Sequence, residues 1–138
     1  MGRPVVHFEV IGNDPERLRG YYGELFGWGF QVGDAASEAV SRPGAYGFVE
    51  PGQAGIAGGV GGGEGYERNV LFYVGVDDVE EALRRAESLG GTRLMGPEPE
   101  SGGDFAVGHF TDPEGNLIGV AGPPAGAAPA GGVREGTR

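Results

Sequence analysis

The sequence predicts an α+β fold made of two copies of one module, each running strand–helix–strand–strand–strand. Three observations predict it. A strand-like stretch, Val6-His7-Phe8-Glu9-Val10, is echoed by Val70-Leu71-Phe72-Tyr73-Val74, an offset of 70 − 6 = 64 residues. The same offset sets Asp14 over Asp78, and each opens a helical pattern. Three further strand-like segments then follow each helix, and self-similarity at a fixed spacing marks internal duplication.

The elements follow in order. Val5–Val10 alternates apolar and polar residues, so Val6, Phe8 and Val10 share one face and His7 and Glu9 the other. Asp14 suits an N-cap and Pro15 the first helical position, which needs no N–H. Leu18, Tyr21, Tyr22, Leu25 and Phe26 form one apolar helical stripe, and Gly27 ends it. Strands are expected near Phe30–Val32, Ala45–Glu50 and, Gly-rich, Gly55–Val60, with Gly33–Pro43 as a mobile loop. In the second half, Val70–Val76 is a strand and Asp78-Val79-Glu80-Glu81 has the form of a capping box. Val79, Ala82, Leu83 and Ala86 carry the next helical stripe up to Gly90-Gly91. Thr92–Met95, Phe105–Phe110 and Leu117–Val120 are the remaining strands, the last two joined by a turn at Asp112-Pro113-Glu114-Gly115-Asn116. The organisation is a first module over 1–60, a linker over 61–69, a second module over 70–120, and a disordered Pro/Ala/Gly-rich tail over 121–138.

Composition narrows the function. Gly is 31 and Pro is 10 of 138 residues, a content at which disorder must be weighed, but the periodic segments up to residue 120 argue for a fold. No cysteine is present, which removes thiolate nucleophiles and sulfur-ligated metal. A formal net charge of −10 repels phosphate backbones, so nucleic acid is not an expected partner. No apolar run reaches membrane-spanning length and Met1-Gly2-Arg3-Pro4 lacks a signal-peptide core, so a cytoplasmic protein is expected. Small modules bury little surface alone, which points to a homodimer.

The motifs His7-Phe8-Glu9-Val10, Asp14-Pro15-Glu16-Arg17, Tyr22-x-x-Leu25-Phe26-Gly27-Trp28, Val76-Asp77-Asp78-Val79 and Asp112-Pro113-Glu114-Gly115-Asn116, in this order over residues 5–120, resemble the vicinal oxygen chelate superfamily, the glyoxalase/bleomycin resistance/dioxygenase group. The resemblance implies paired βαβββ modules whose curved mixed sheets surround a shared pocket. It also implies, in metal-dependent members, four ligands: a His on the first strand and a carboxylate on the last strand of each module. Carried over by position, these fall on His7, on Leu71, within Gly55–Val60, and on Gly119. One donor of four remains, so no bound metal and no other cofactor is expected.

His7 and Glu9, at i and i+2 on one strand face, are the candidate catalytic pair: an imidazole that titrates near neutrality and a carboxyl that burial can raise toward it. The same residues also read as a relic of a metal site and a pocket wall. Trp28, Tyr46, Phe48, Leu71, Tyr73 and His109 are candidate ligand-binding residues, the aromatic ones by stacking. The blander reading of the aromatics is core, and of His109 a sheet histidine. The expected function is metal-independent binding of a small organic or natural-product ligand, to sequester or transform it. The alternatives are a metal-free acid/base enzyme (isomerase, lyase or cyclase) using His7 and Glu9, and a divalent-metal lyase or dioxygenase.

Overall fold

The computed structural model describes residues 2–33, 37–100 and 103–124. Eight strands and three helices alternate as β1 (Val5–Gly12), α1 (Pro15–Phe26), β2 (Gln31–Gly33), β3 (Tyr46–Val49), α2 (Pro51–Ala54), β4 (Ala57–Gly62), β5 (Asn69–Gly75), α3 (Val79–Ser88), β6 (Thr92–Pro99), β7 (Ala106–Thr111) and β8 (Leu117–Gly122). The strands form one curved open sheet in the order β2-β3-β4-β1-β5-β8-β7-β6. Each half repeats the pattern of the other. β1 pairs parallel with β4, and β5 parallel with β8; every other neighbouring pair is antiparallel.

The halves join within the chain, edge to edge, through β1 and β5. Phe8 faces Phe72 in that ladder, and His7 faces Tyr73. Phe8 and Phe72 are also equivalent under the 64-residue echo, so a pseudo-twofold axis passes between them. Pairing each module's first strand with the other hides two edges that would otherwise lie open.

Local chemistry sets the helices. The Asp14 carboxylate accepts from the Arg17 N–H at 3.2 Å, and Asp78 accepts from the Glu81 N–H at 3.0 Å. Gly27 closes α1 in the left-handed region, at φ 76°, where a Cβ would be strained. On α3, Val79 and Leu83 are fully buried and pack with Ala106 and Val120, with Phe110 alongside. The α1 stripe behaves differently. Leu18 and Tyr22 are partly covered, but Tyr21, Leu25 and Phe26 are 60%, 56% and 54% exposed. The apolar stripe is wider than the strip of sheet beneath the helix.

Both long helices lie on one face of the sheet. The other face carries His7, Glu9, Ile11, Leu71, Tyr73, Val107, His109 and Ala121, and part of it packs with Val40 and Tyr66 as a second apolar cluster.

Several boundaries differ from expectation. β8 continues through Ala121 and Gly122: Ala121 is buried and pairs with Val107 and Gly75, and the Pro123 carbonyl accepts from the Val79 N–H at 2.9 Å. Residues 121–124 therefore belong to the folded unit, because their backbone groups complete a ladder and cap a helix. The remainder of the expected tail, 125–138, lies outside the described residues, as do 34–36 of the expected loop. The rest of that loop is docked. Val40 and Ser41 are buried, and the Ser41 hydroxyl oxygen accepts from the Gly62 N–H at 2.9 Å. β4 reaches Gly62, two residues into the expected linker, and the short α2 was not foreseen.

Candidate functional site

The site grows from alternation along β1. His7 and Glu9 point to the helix-free face, beside Leu71 and Tyr73 of β5. Glu9 is only 3% exposed. A buried carboxylate needs donors, and two tyrosines supply them. The Tyr46 hydroxyl donates to Oε2 at 2.9 Å, and the Tyr73 hydroxyl donates to Oε1 at 2.7 Å. Each hydroxyl has a second partner, an imidazole. His7 Nε2 lies 2.7 Å from the Tyr46 oxygen, and His109 Nε2 lies 2.7 Å from the Tyr73 oxygen. Five side chains from four strands thus form one unbranched chain, His7–Tyr46–Glu9–Tyr73–His109, with the carboxyl at its centre.

Glycines make the chain possible. The Tyr46 ring lies over Gly59 and Gly61 of β4, and the Tyr73 ring lies over Gly119 of β8. A Cβ at Gly59 would collide with the Tyr46 ring, and one at Gly119 with the Tyr73 ring. Across the sheet, His7, Tyr73, Gly119 and His109 stand in one row of direct ladder neighbours. Lacking a side chain at Gly119, β8 lets Tyr73 reach across it to β7. The His7 and His109 rings flank the Tyr73 ring at centroid distances of 5.7 and 5.6 Å, and Phe48 stacks on His7 at 6.3 Å.

The electrostatics follow from burial. Loss of water pushes the Glu9 carboxyl up to about 7; the Tyr73 and Tyr46 hydroxyls oppose this, and the charge of Glu100 adds to it. Burial lowers both His7 and His109 to about 4. Burial raises both tyrosines, with the Glu9 charge adding, so they remain neutral donors. As the pH falls, the first proton this network takes up therefore goes to Glu9 rather than to an imidazole.

Of the residues singled out from sequence, the structure brings together His7, Glu9, Tyr46, Phe48, Leu71, Tyr73 and His109. Leu71 is buried and faces Glu9 across the ladder. Trp28 is not with them: it packs on Phe8, Tyr22 and Phe26 on the helical face. The hydrogen bonds of Tyr46 and His109 are not legible in the sequence. The sequence makes both ligand-binding candidates, Tyr46 by stacking and His109 with a sheet histidine as its blander reading, and the structure makes both hydrogen-bonding members of the chain. The row of small residues at Gly59 and Gly119 was the available signal, since a glycine under an aromatic ring permits it to lie flat across a strand.

The residues do not fit the metal site that the resemblance implies. Leu71 is apolar, Gly59 and Gly119 bring no carboxylate, and His7 Nε2 is engaged by Tyr46. Among the described residues no group of three or more His, Cys, Asp or Glu side chains is placed to hold a metal ion. An apolar groove of about 350 Å³, lined by Val74, Ala86, Phe110 and Ile118 among others, lies between α3 and the sheet on the opposite face.

A duplicated βαβββ chain with a single continuous curved sheet and a polar site astride the pseudo-twofold axis defines a class of paired-module proteins. Within that class, the glyoxalase-like domain matches residues 7–121, and the chain belongs to this family. Solved structures agree on the fold. A hypothetical protein from Bacillus halodurans C-125 is 13% identical, with a TM-score of 0.65 over 93% of this chain and 99% of that one. Methylmalonyl-CoA epimerase from Mycobacterium tuberculosis is 12% identical, with a TM-score of 0.62 over 86% and 87%. A glyoxalase/bleomycin resistance protein/dioxygenase superfamily member from Vibrio splendidus 12B01 is 16% identical, with a TM-score of 0.56 over 88% and 99%. A search of curated proteins gave no match.

Proposed function

We propose that this chain binds a small organic ligand and moves protons on it with its own side chains, without a bound metal. The observation that carries this reading is Glu9: a buried carboxyl pushed up to about 7, held by two tyrosine hydroxyls, each backed by an imidazole. A group that titrates near the working pH is suited both to accept and to return a proton.

The arrangement gives His7 a base strength that its own burial would deny it. With Glu9 ionised, both tyrosines donate to the carboxylate, so each tyrosine oxygen accepts from an Nε2–H and the Nδ1 lone pair is left free. A proton taken at His7 Nδ1 is matched by transfer of the Nε2 proton to Tyr46 and of the Tyr46 proton to Glu9. His7 ends neutral, and the proton rests on Glu9. No imidazolium forms in the buried site, where it would be costly.

Metal independence, a cytoplasmic location and a homodimer belong to the same reading. The donor set described above supports the first. For the third, Tyr21, Leu25 and Phe26 leave an exposed apolar helix face suited to a second copy, and sedimentation at micromolar concentration checks it.

The test begins with chelator-treated protein screened by thermal shift against uncharged carbonyl compounds, followed by conversion assays on the hits. Glu9→Gln is expected to cut turnover by about 10² or more while binding of the hit changes less than tenfold. Turnover that needs an added divalent ion, or that is equal in Glu9→Gln, overturns the reading. Binding with no turnover in either protein leaves sequestration as the function.

A further inference from the structure

Glu9 has two oxygens, and both are wired. The second arm, through Tyr73 to His109, is equivalent in its chemistry to the first: a hydroxyl donating to the carboxyl at 2.7 Å and an imidazole Nε2 at 2.7 Å from that hydroxyl. It comes from the other module and reaches β7 only because Gly119 leaves room for the Tyr73 ring. Neither histidine Nδ1 has a hydrogen-bond partner among the described residues, and both imidazoles are only partly buried.

Counting protons shows what two arms do that one cannot. A tyrosine hydroxyl carries one hydrogen. When Glu9 bears a proton on Oε1, it donates to the Tyr73 oxygen, Tyr73 donates to His109 Nε2, and the His109 proton sits on Nδ1. The other arm is unchanged: His7 carries its proton on Nε2 and keeps an Nδ1 lone pair. One imidazole is then an acid and the other a base. Shifting every proton by one bond exchanges the two roles and leaves the total charge unaltered.

We propose that His109 is the second proton terminal of the site, catalytic in its own right, and that the singly protonated network presents His7 and His109 to one substrate as complementary base and acid. This rests on the acid/base reading given above. The step balances. The substrate loses a proton to Nδ1 of one imidazole, each network proton moves one bond along, and Nδ1 of the other imidazole returns a proton to a second substrate atom. No oxidant, metal or group carrier is consumed, and the next turnover begins with the roles reversed or after exchange with water.

The geometry also selects a substrate class. Both imidazoles lie against the one buried Tyr73 ring, one on either side of it, and Phe48 stacks on His7. A molecule with a hydroxyl or acidic C–H at one end and a carbonyl at the other spans the two terminals. It carries no negative charge: the ionisable groups facing Glu9 are Tyr46 of β3, Tyr73 of β5, His7 of its own strand and Glu100 beyond β6, with His109 of β7 behind Tyr73, and none of them brings a fixed positive charge.

The chain has two histidines, so protein labelled with ¹⁵N-histidine gives two sets of ring signals that report tautomer directly. In the free protein above the Glu9 titration, both are expected as Nε2–H. Below it, the Nδ1–H form is shared, about half on each ring, as coupled sites require. Tyr73→Phe, which keeps the ring, and His109→Phe cut the second arm, and the Nδ1–H population of His7 is expected to rise about twofold in each. For any compound the protein converts, Tyr73→Phe is expected to lower kcat by about tenfold or more with KM little changed. Tautomers of His7 that ignore both variants, or two imidazolium rings beside an ionised Glu9, overturn the proposal. Loss of turnover in Glu9→Gln with uncoupled tautomers defeats the two-terminal proposal alone; coupled tautomers with full turnover in Glu9→Gln support the wiring and defeat the acid/base reading.

Discussion

Replacing Glu9 by Gln is expected to stabilise the protein, and only on the alkaline side. The Glu9 carboxyl moves from its ordinary 4.5 to about 7 on folding. Between these values the folded state holds a proton that the unfolded state has released, so stability falls as pH rises through this window, and the full penalty is present above it. At about 1.36 kcal/mol per unit, the penalty above pH 7 is about 3 kcal/mol. Gln has the same shape and carries no charge. Its oxygen accepts from one tyrosine and its NH₂ donates to the other, which imitates the protonated state. An imperfect fit of that amide costs about 0.5–1.5 kcal/mol, the value of a hydrogen bond. The variant should therefore gain about 2 kcal/mol over the parent at pH 8 and be equal or slightly weaker at pH 4.5. Urea unfolding of both proteins at pH 4.5, 6 and 8, with the slope checked for constancy, reads this difference. His7 and His109, lowered from 6.5 to about 4, act in the opposite sense: they remove stability as pH falls from 6.5 to 4. To first order they cancel between the two proteins, and in the parent the three groups together place their stability maximum at about pH 7. A stability difference that does not vary with pH would refute the assignment of the buried proton to Glu9.

Other substitutions probe the framework. Gly119→Ala puts a Cβ into the Tyr73 ring and should cost about 1–3 kcal/mol by overpacking, while moving the His109 ring signals in an NMR spectrum. Leu83→Ala empties a fully buried position under α3 and should cost about 2–5 kcal/mol in denaturant unfolding. Truncation after Val120 removes buried Ala121 and the Pro123 carbonyl that accepts from Val79; a loss of about 1–3 kcal/mol is expected, that of one or two hydrogen bonds and a small buried side chain.

The duplicated fold was legible because its signals are local. A strand of alternating residues, an Asp cap and a closing glycine each report on a few consecutive residues, and all occur twice. Alternation alone placed His7 and Glu9 on the face opposite Phe8, and Tyr73 beside them. The partners of Glu9 were harder to read. Tyr46 lies 37 residues from Glu9, and His109 lies 36 from Tyr73. Such pairs depend on which strands become neighbours and on how far a ring reaches across one of them. The docked segment at Val40 and Ser41 was read as mobile for a similar reason: its small polar residues look like solvent-facing loop until the Gly62 N–H that binds Ser41 is placed beside them. The strand at Ala121 and Gly122 resembled the low-complexity sequence after it, and only backbone pairing separates the two.

The two glycines beneath the tyrosine rings also constrain how this site can be altered. A carboxylate installed at position 119 would not simply add a ligand to an existing cavity, because the volume it needs is filled by Tyr73. The same interlock holds at position 59 with Tyr46. Conversion to a cation-binding pocket therefore has an obligatory order: the aromatic ring must be shortened before the acid is introduced. Libraries that vary 59 or 119 alone meet the overlapping ring at every member, whereas paired libraries that couple 46 with 59, or 73 with 119, relieve it.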